Sequence, residues 1–170
     1  IREKGLAGDP PHLVQSFGRT ETDASLLQVP LLGLPLEPEI FAATVRRVEE
    51  ELKDGDLVYR YRGADGLSGE EGAFMITSFW LVDAYLAVGR GEEARDLFER
   101  LVARANDVGL YAEEIDPRTG GFLGNFPQAF THLSLISAAA LLHLYESGGA
   151  EAIRGSNTDR ARRLVGKTEG

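Results

Sequence analysis

The strongest constraint on the fold is the way hydrophobic patterning changes from one segment to the next. Gly72–Val88 is apolar around almost its whole circumference, through Phe74, Met75, Ile76, Phe79, Trp80, Leu81, Val82, Tyr85 and Leu86. A helix of that kind is stable only when neighbours cover it on every side. Glu92–Val108 is one-sided instead. Its Ala94, Leu97, Phe98, Leu101, Val102, Ala105 and Val108 form one stripe at helical spacing, with Gly109 as the expected C-terminal cap. Glu39–Leu52 is amphipathic in the same way, with Ile40, Phe41, Thr44, Val45, Val48 and Leu52 opposite Arg46, Arg47, Glu49 and Glu50. Pro38 near its start and Gly55 beyond its end are the usual asymmetry. Pro127–Tyr145 is apolar on most faces. The order outer, inner, outer, inner predicts an all-α chain in two layers, as in a helical ring or solenoid.

The connections alternate too. Val88 to Glu92 is tight and makes an antiparallel hairpin, whereas the connections at 53–71 and 109–126 are long. Both long ones precede inner helices, so they lie at one end of the layer and can converge on one site. Leu57–Tyr61 is rich in strand formers but has no evident partner, and is expected to be extended loop. Asp23–Leu34 is expected to be a further inner helix, capped by Asp23 and bent or ended at Pro30. Residues 1–22 read as loop with an incomplete element. From Gly148 onward the chain is Gly-rich and then charged, which predicts a frayed or disordered tail. The expected division is therefore 1–147 and 148–170.

Composition narrows the function classes. A chain of 170 residues with 43% hydrophobic content can bury one real core. Its net charge of −9 argues against nucleic acid and against an anionic membrane surface. The absence of cysteine removes disulfides, thiolate nucleophiles and Cys-type zinc sites. His12, His132 and His143 are scattered, and the spacing of Asp54, Asp56 and Asp65 does not fit a calcium loop. No metal or cofactor is expected. No apolar run approaches the roughly 18 residues of a membrane span. No secretory signal opens the chain, and a cytoplasmic location is expected.

The chemistry is concentrated in Gly109–His132, GLYAEEIDPRTGGFLGNFPQAFTH. Two adjacent carboxylates, Glu113 and Glu114, stand in a loop between two helical segments. Carboxylates at such a mouth suit glycoside hydrolysis, where an acid and a base flank one bond. Each candidate also has a plainer reading. Glu113 and Glu114 can be a solvated pair, and Glu70 and Glu71 can be helix N-terminal carboxylates favoured by the dipole. Arg60 can pair with Asp65, and His132 can be a hydrogen-bonded core residue.

Four blocks together resemble glycoside hydrolase family 15, the glucoamylase-like enzymes. They are TDASLLQVPLLG (22–33), LVYRYRGADGLSGEEGAFMITSFWLVDAYLAVGR (57–90), GLYAEEID (109–116) and GNFPQAFTHLSLISAAALL (124–142). The resemblance implies part of an (α/α)6 barrel, about half of the toroid and its C-terminal part. It implies that Glu113 is the general base of an inverting hydrolysis of terminal α-glucosidic bonds. It further implies that Arg60, with Tyr61, holds the terminal glucose, that Glu114 supports the base, and that His132 lines the same pocket. Glu71 is a further candidate sugar contact. The family's general acid belongs to an earlier segment around a Gly-Ile-Trp-Glu-type motif; no such motif occurs here, and the one tryptophan is Trp80. The implied substrate is a glucose-containing oligosaccharide or trehalose. The alternative is an inactive half-barrel that binds sugar, or that associates with a second chain through its uncovered flanks.

Overall fold

The computed structural model describes residues 4–62 and 72–160. Four α-helices carry the fold: α1 (Pro38–Leu52), α2 (Met75–Ala87), α3 (Gly91–Val102) and α4 (Ala129–Ala152). Helix α2 is the centre, packed by α4, α3 and a 3-10 segment at Ala24–Leu32. Met75, Phe79, Leu81, Val82 and Leu86 are wholly inaccessible, as its all-round apolar pattern requires. Helices α1 and α3 each bury one stripe, Val45, Val48 and Leu52 on α1 and Ala94, Leu97 and Leu101 on α3. Each of the Val, Leu, Met and Phe side chains among them contributes about 1.5–3 kcal/mol when fully buried. Polar clasps then fix the layers. Arg90, in the α2–α3 turn, reaches both oxygens of Glu49 on α1 at 2.7 and 2.9 Å. Arg104 grips both oxygens of Asp56 at 2.7 and 2.5 Å.

The structure departs from the all-α expectation in the connections. Two-residue strands β3 (Lys53–Asp54), β4 (Leu57–Val58), β5 (Ala73–Phe74), β6 (Glu114–Ile115) and β7 (Phe122–Leu123) form one antiparallel sheet in sequence order. Leu57–Val58 therefore has partners on both sides. They escaped notice because Val58 pairs with Phe74, sixteen residues on, through a ladder too short to show periodicity. This sheet joins the two long connections at one end of the helices, with Ala73 opposite Ile115 and Phe74 opposite Glu114. The N-terminal region contributes a hairpin, β1 (Leu6–Ala7) against β2 (His12–Leu13), where a loop is expected. The Leu13 amide donates to the Thr44 hydroxyl on α1 at 2.9 Å.

Three helical expectations change in detail. The segment after Asp23 is 3-10 rather than α, with Pro30 inside it, and Asp23 caps it by accepting from the Ser25 amide at 2.7 Å. Helix α3 stops at Val102 because Asn106 folds the chain back, its Oδ1 accepting from the amides of Val108 and Leu110 at 3.1 and 2.8 Å. Gly109 closes that turn, not the helix. Helix α4 is not covered all round: Phe130, Leu133 and Ile136 are 66%, 59% and 62% exposed along one side. Gly148, where the sequence places the start of a tail, lies inside α4, whose geometry breaks at Gly149. Beyond it Ile153 and Arg160 are buried. No helix among the described residues is long and apolar enough to cross a membrane.

Candidate active site

Glu113 is positioned by a short segment with an anchor in the core. Tyr111 is 2% exposed, packs edge-on against Phe79 at 6.0 Å between ring centres, and donates its hydroxyl to the Val102 carbonyl at 3.0 Å. Ala112 is fully buried, and its carbonyl accepts from the Thr131 hydroxyl on α4 at 3.1 Å. The backbone of Glu113 is held on both sides: its carbonyl accepts from the Met75 amide at 3.0 Å and its amide donates to the Asn125 carbonyl at 2.9 Å. The segment is thus tied to α2, to α4 and to the loop after β7.

Successive side chains of extended backbone point to opposite faces, and the two carboxylates separate accordingly. Glu113 lines a cavity of about 210 Å³ between β5, the first turns of α2 and the start of α4. Glu114 turns away from it and accepts from the Gly72 amide at 2.8 Å, fastening β5 to β6. The cavity walls are Arg60 on one side, Phe74 from β5, Ile76, Thr77 and Trp80 from the first turns of α2, Gln128 just before α4, and Phe130 and Thr131 at its start. Glu113 is the one carboxylate among the described residues that line it. On Glu113, Oε2 accepts from the Asn125 side-chain amide at 2.8 Å and from the Asn125 backbone amide at 3.1 Å.

The expected site residues divide as follows. Arg60 and Glu113 share the cavity. Tyr61 stands beside Arg60, whose guanidinium lies 6.0 Å from the Tyr61 ring centre, but is not part of the cavity wall. Glu114 serves the strand pairing. His132 faces the other way: its Nδ1 donates to the Gln128 carbonyl at 2.7 Å and its ring packs on Tyr111. Its Nε2 is buried and has no hydrogen-bond partner among the described residues. Glu71, like Glu70 and Asp65, lies outside the described residues.

Sequence reading passed over Trp80, Ile76 and Gln128. Trp80 sits on the apolar helix α2 and reads as core, yet it is only half-buried and faces the cavity. The spacing of Ile76 and Trp80, one helical turn apart, is the signal that could have found them. Arg60 supplies a fixed fork of donors, Trp80 and Phe130 supply aromatic faces, and Glu113 supplies one proton acceptor. The set can hold a small polyhydroxylated molecule and take one proton from it or from a water.

Comparison with known proteins gives the family of the chain. The family model described as glycosyl hydrolases family 15 matches residues 5–140. A trehalase of Thermoplasma volcanium is 44% identical over 144 residues, which is 84% of this chain and 23% of that protein. A trehalase of Mycolicibacterium smegmatis is 52% identical over 130 residues, 74% of this chain and 20% of that protein. The chain spans less than a quarter of the length of these two relatives. A solved wild-type glycosidase superimposes with a TM-score of 0.68 at 22% identity, covering 84% of this chain and 41% of that one. A glycosidase variant solved in complex with glucose gives 0.67 at 21%. At such identities the likeness speaks for a shared helical glycosidase fold. The family match spans most of the sequence, and the chain belongs to glycosyl hydrolase family 15.

Proposed function

We propose that this chain carries the general-base side of an inverting glycosidase site, with trehalose as the favoured substrate. The observation that carries the reading is the cavity in which Glu113 is the one carboxylate among the described lining residues, alongside Arg60 and Trp80. In this reading Glu113 takes the proton of a water that attacks the anomeric carbon opposite the leaving group. The general acid faces it from roughly 6.5–9.5 Å, the gap that admits the water, and belongs to a part of the barrel outside this chain. Arg60 donates to the terminal glucose hydroxyls through its planar fork. The described residues up to 147 are then the C-terminal half of an (α/α)6 barrel. Trehalose ranks above maltooligosaccharides because several relatives, at 44% and 52% identity among them, are trehalases. A neighbour of the same fold solved in complex with glucose supports a sugar as the class of substrate.

The exposed side of α4 favours a second reading. Phe130, Leu133 and Ile136 form an uncovered apolar flank, and such flanks drive association. On that reading the 170-residue chain binds sugar or pairs with another chain without turning over substrate.

Hydrolysis of α-glucosyl fluoride, whose leaving group needs no general acid, by the chain and by its Glu113→Gln variant tests the first reading. Hydrolysis that disappears in the variant and is inhibited more strongly by trehalose than by maltose or maltooligosaccharides supports it. Hydrolysis that survives the substitution sinks Glu113 as the base. No hydrolysis, with a monomer–dimer equilibrium in sedimentation, supports the second.

A further inference from the structure

We propose that Asn125 is the positioning residue of Glu113. It pins one carboxylate oxygen so that the other is the atom left to take the proton. The inference rests on the reading of Glu113 as the base.

The pairing of β6 with β7 sets up the contact. Glu114 lies opposite Leu123 and Ile115 opposite Phe122, so the same register puts Gly124 opposite Glu113. Residues directly opposite in an antiparallel pair project to the same face, and a side chain at 124 would occupy the space of the carboxylate. A Cβ there would stand 2.9 Å from Glu113 Oε2 and 3.0 Å from Glu113 Cβ. Gly124 leaves that space open, and its φ of 69° turns the chain so that Asn125 comes round to Glu113. Three bonds then join the two residues. The Glu113 amide donates to the Asn125 carbonyl at 2.9 Å. The Asn125 amide and Nδ2 both donate to Oε2, at 3.1 and 2.8 Å. Among the described residues Oε1 accepts no hydrogen bond.

Two donors on one oxygen fix the rotation of the carboxylate, which a base needs in order to meet its water in line. The Gly124–Asn125 pair is therefore part of the machinery of Glu113, the glycine by its missing side chain and the asparagine by its donors.

The test is steady-state hydrolysis of α-glucosyl fluoride, which needs a base but no general acid, by the 170-residue chain, by Glu113→Gln and by Asn125→Ala. Asn125→Ala frees the carboxylate to rotate and lowers kcat about tenfold with KM unchanged, since Asn125 is not part of the cavity wall. Asn125 is exposed, so the variant keeps the wild-type melting temperature to within about 2 °C. An unchanged kcat in Asn125→Ala, or a loss that appears in KM or in melting temperature instead, would overturn the proposal. Hydrolysis that is absent from the wild-type chain, or that survives Glu113→Gln, would remove the base assignment itself, so the two failures are distinct.

Discussion

Asp83 should make this protein lose stability as the pH rises through neutrality. Its carboxyl is on α2, 2% exposed, with Oδ1 unpartnered among the described residues. It lines a cavity between the 3-10 segment, α2 and the end of α4, where Arg154, Glu151 and Arg160 are the other charged groups. Arg160 spends its donors on the carbonyls of Ile153 and Gly155 and on Asn157. Burial pushes Asp83 up from 3.8 to about 8, and the Arg160 charge offsets only part of that. The sign follows from linkage. Between the unfolded and folded values the native state holds a proton that the unfolded state has released, so stability falls with pH across roughly 4 to 8. From pH 5 to pH 7 the loss is two units at about 1.4 kcal/mol each, about 2.7 kcal/mol as an upper figure. Asp83→Asn keeps the shape and removes the proton. Urea unfolding at pH 5, 6, 7 and 8 should show wild-type stability falling by about 1–3 kcal/mol over that interval, with the variant flat and the more stable of the two at pH 8. Parallel curves would refute the reasoning, since they would mean that Asp83 titrates alike in the folded and unfolded chains.

Other predictions address the clasp and the cavity. Arg104→Ala breaks the two bonds that hold Asp56 below its ordinary range. The cost should be about 1 kcal/mol at pH 7. It should fade in urea titrations as the pH falls below about 4, because a depressed carboxylate stabilises only where it is ionised. Trp80 is the sole tryptophan and lines the cavity, so glucose should change the intrinsic fluorescence of the wild-type chain. Arg60→Ala should weaken that response by about tenfold, the loss of one charge-assisted bond, with no change in melting temperature.

The helices were legible because their patterns run over many turns. Phe79, Leu86 and their neighbours mark α2 as central whatever surrounds it. The single stripe from Ala94 to Leu101 gives α3 just as plainly. The sheet was not legible, since its strands are two residues long and their partners lie across loops. The end of α3 was missed because the Asn106 turn depends on one side-chain oxygen capturing two amides, and helical periodicity carries no sign of it. Glu113 and Arg60 could be picked out from their blocks, and the fold sets both on one cavity. His132 and Glu114 show the limit: a residue beside the site in sequence can point the other way in space. Trp80 shows the converse, as an apolar residue on a buried helix that fronts a cavity.

The most direct test isolates the base from the acid. α-Glucosyl fluoride carries a leaving group that departs without being protonated, so its hydrolysis needs a base and a held glucosyl unit but no general acid. The 170-residue chain should convert it to β-glucose, the inverted anomer, and Glu113→Gln should abolish the reaction. Release of α-glucose, or hydrolysis undiminished in Glu113→Gln, would contradict the account.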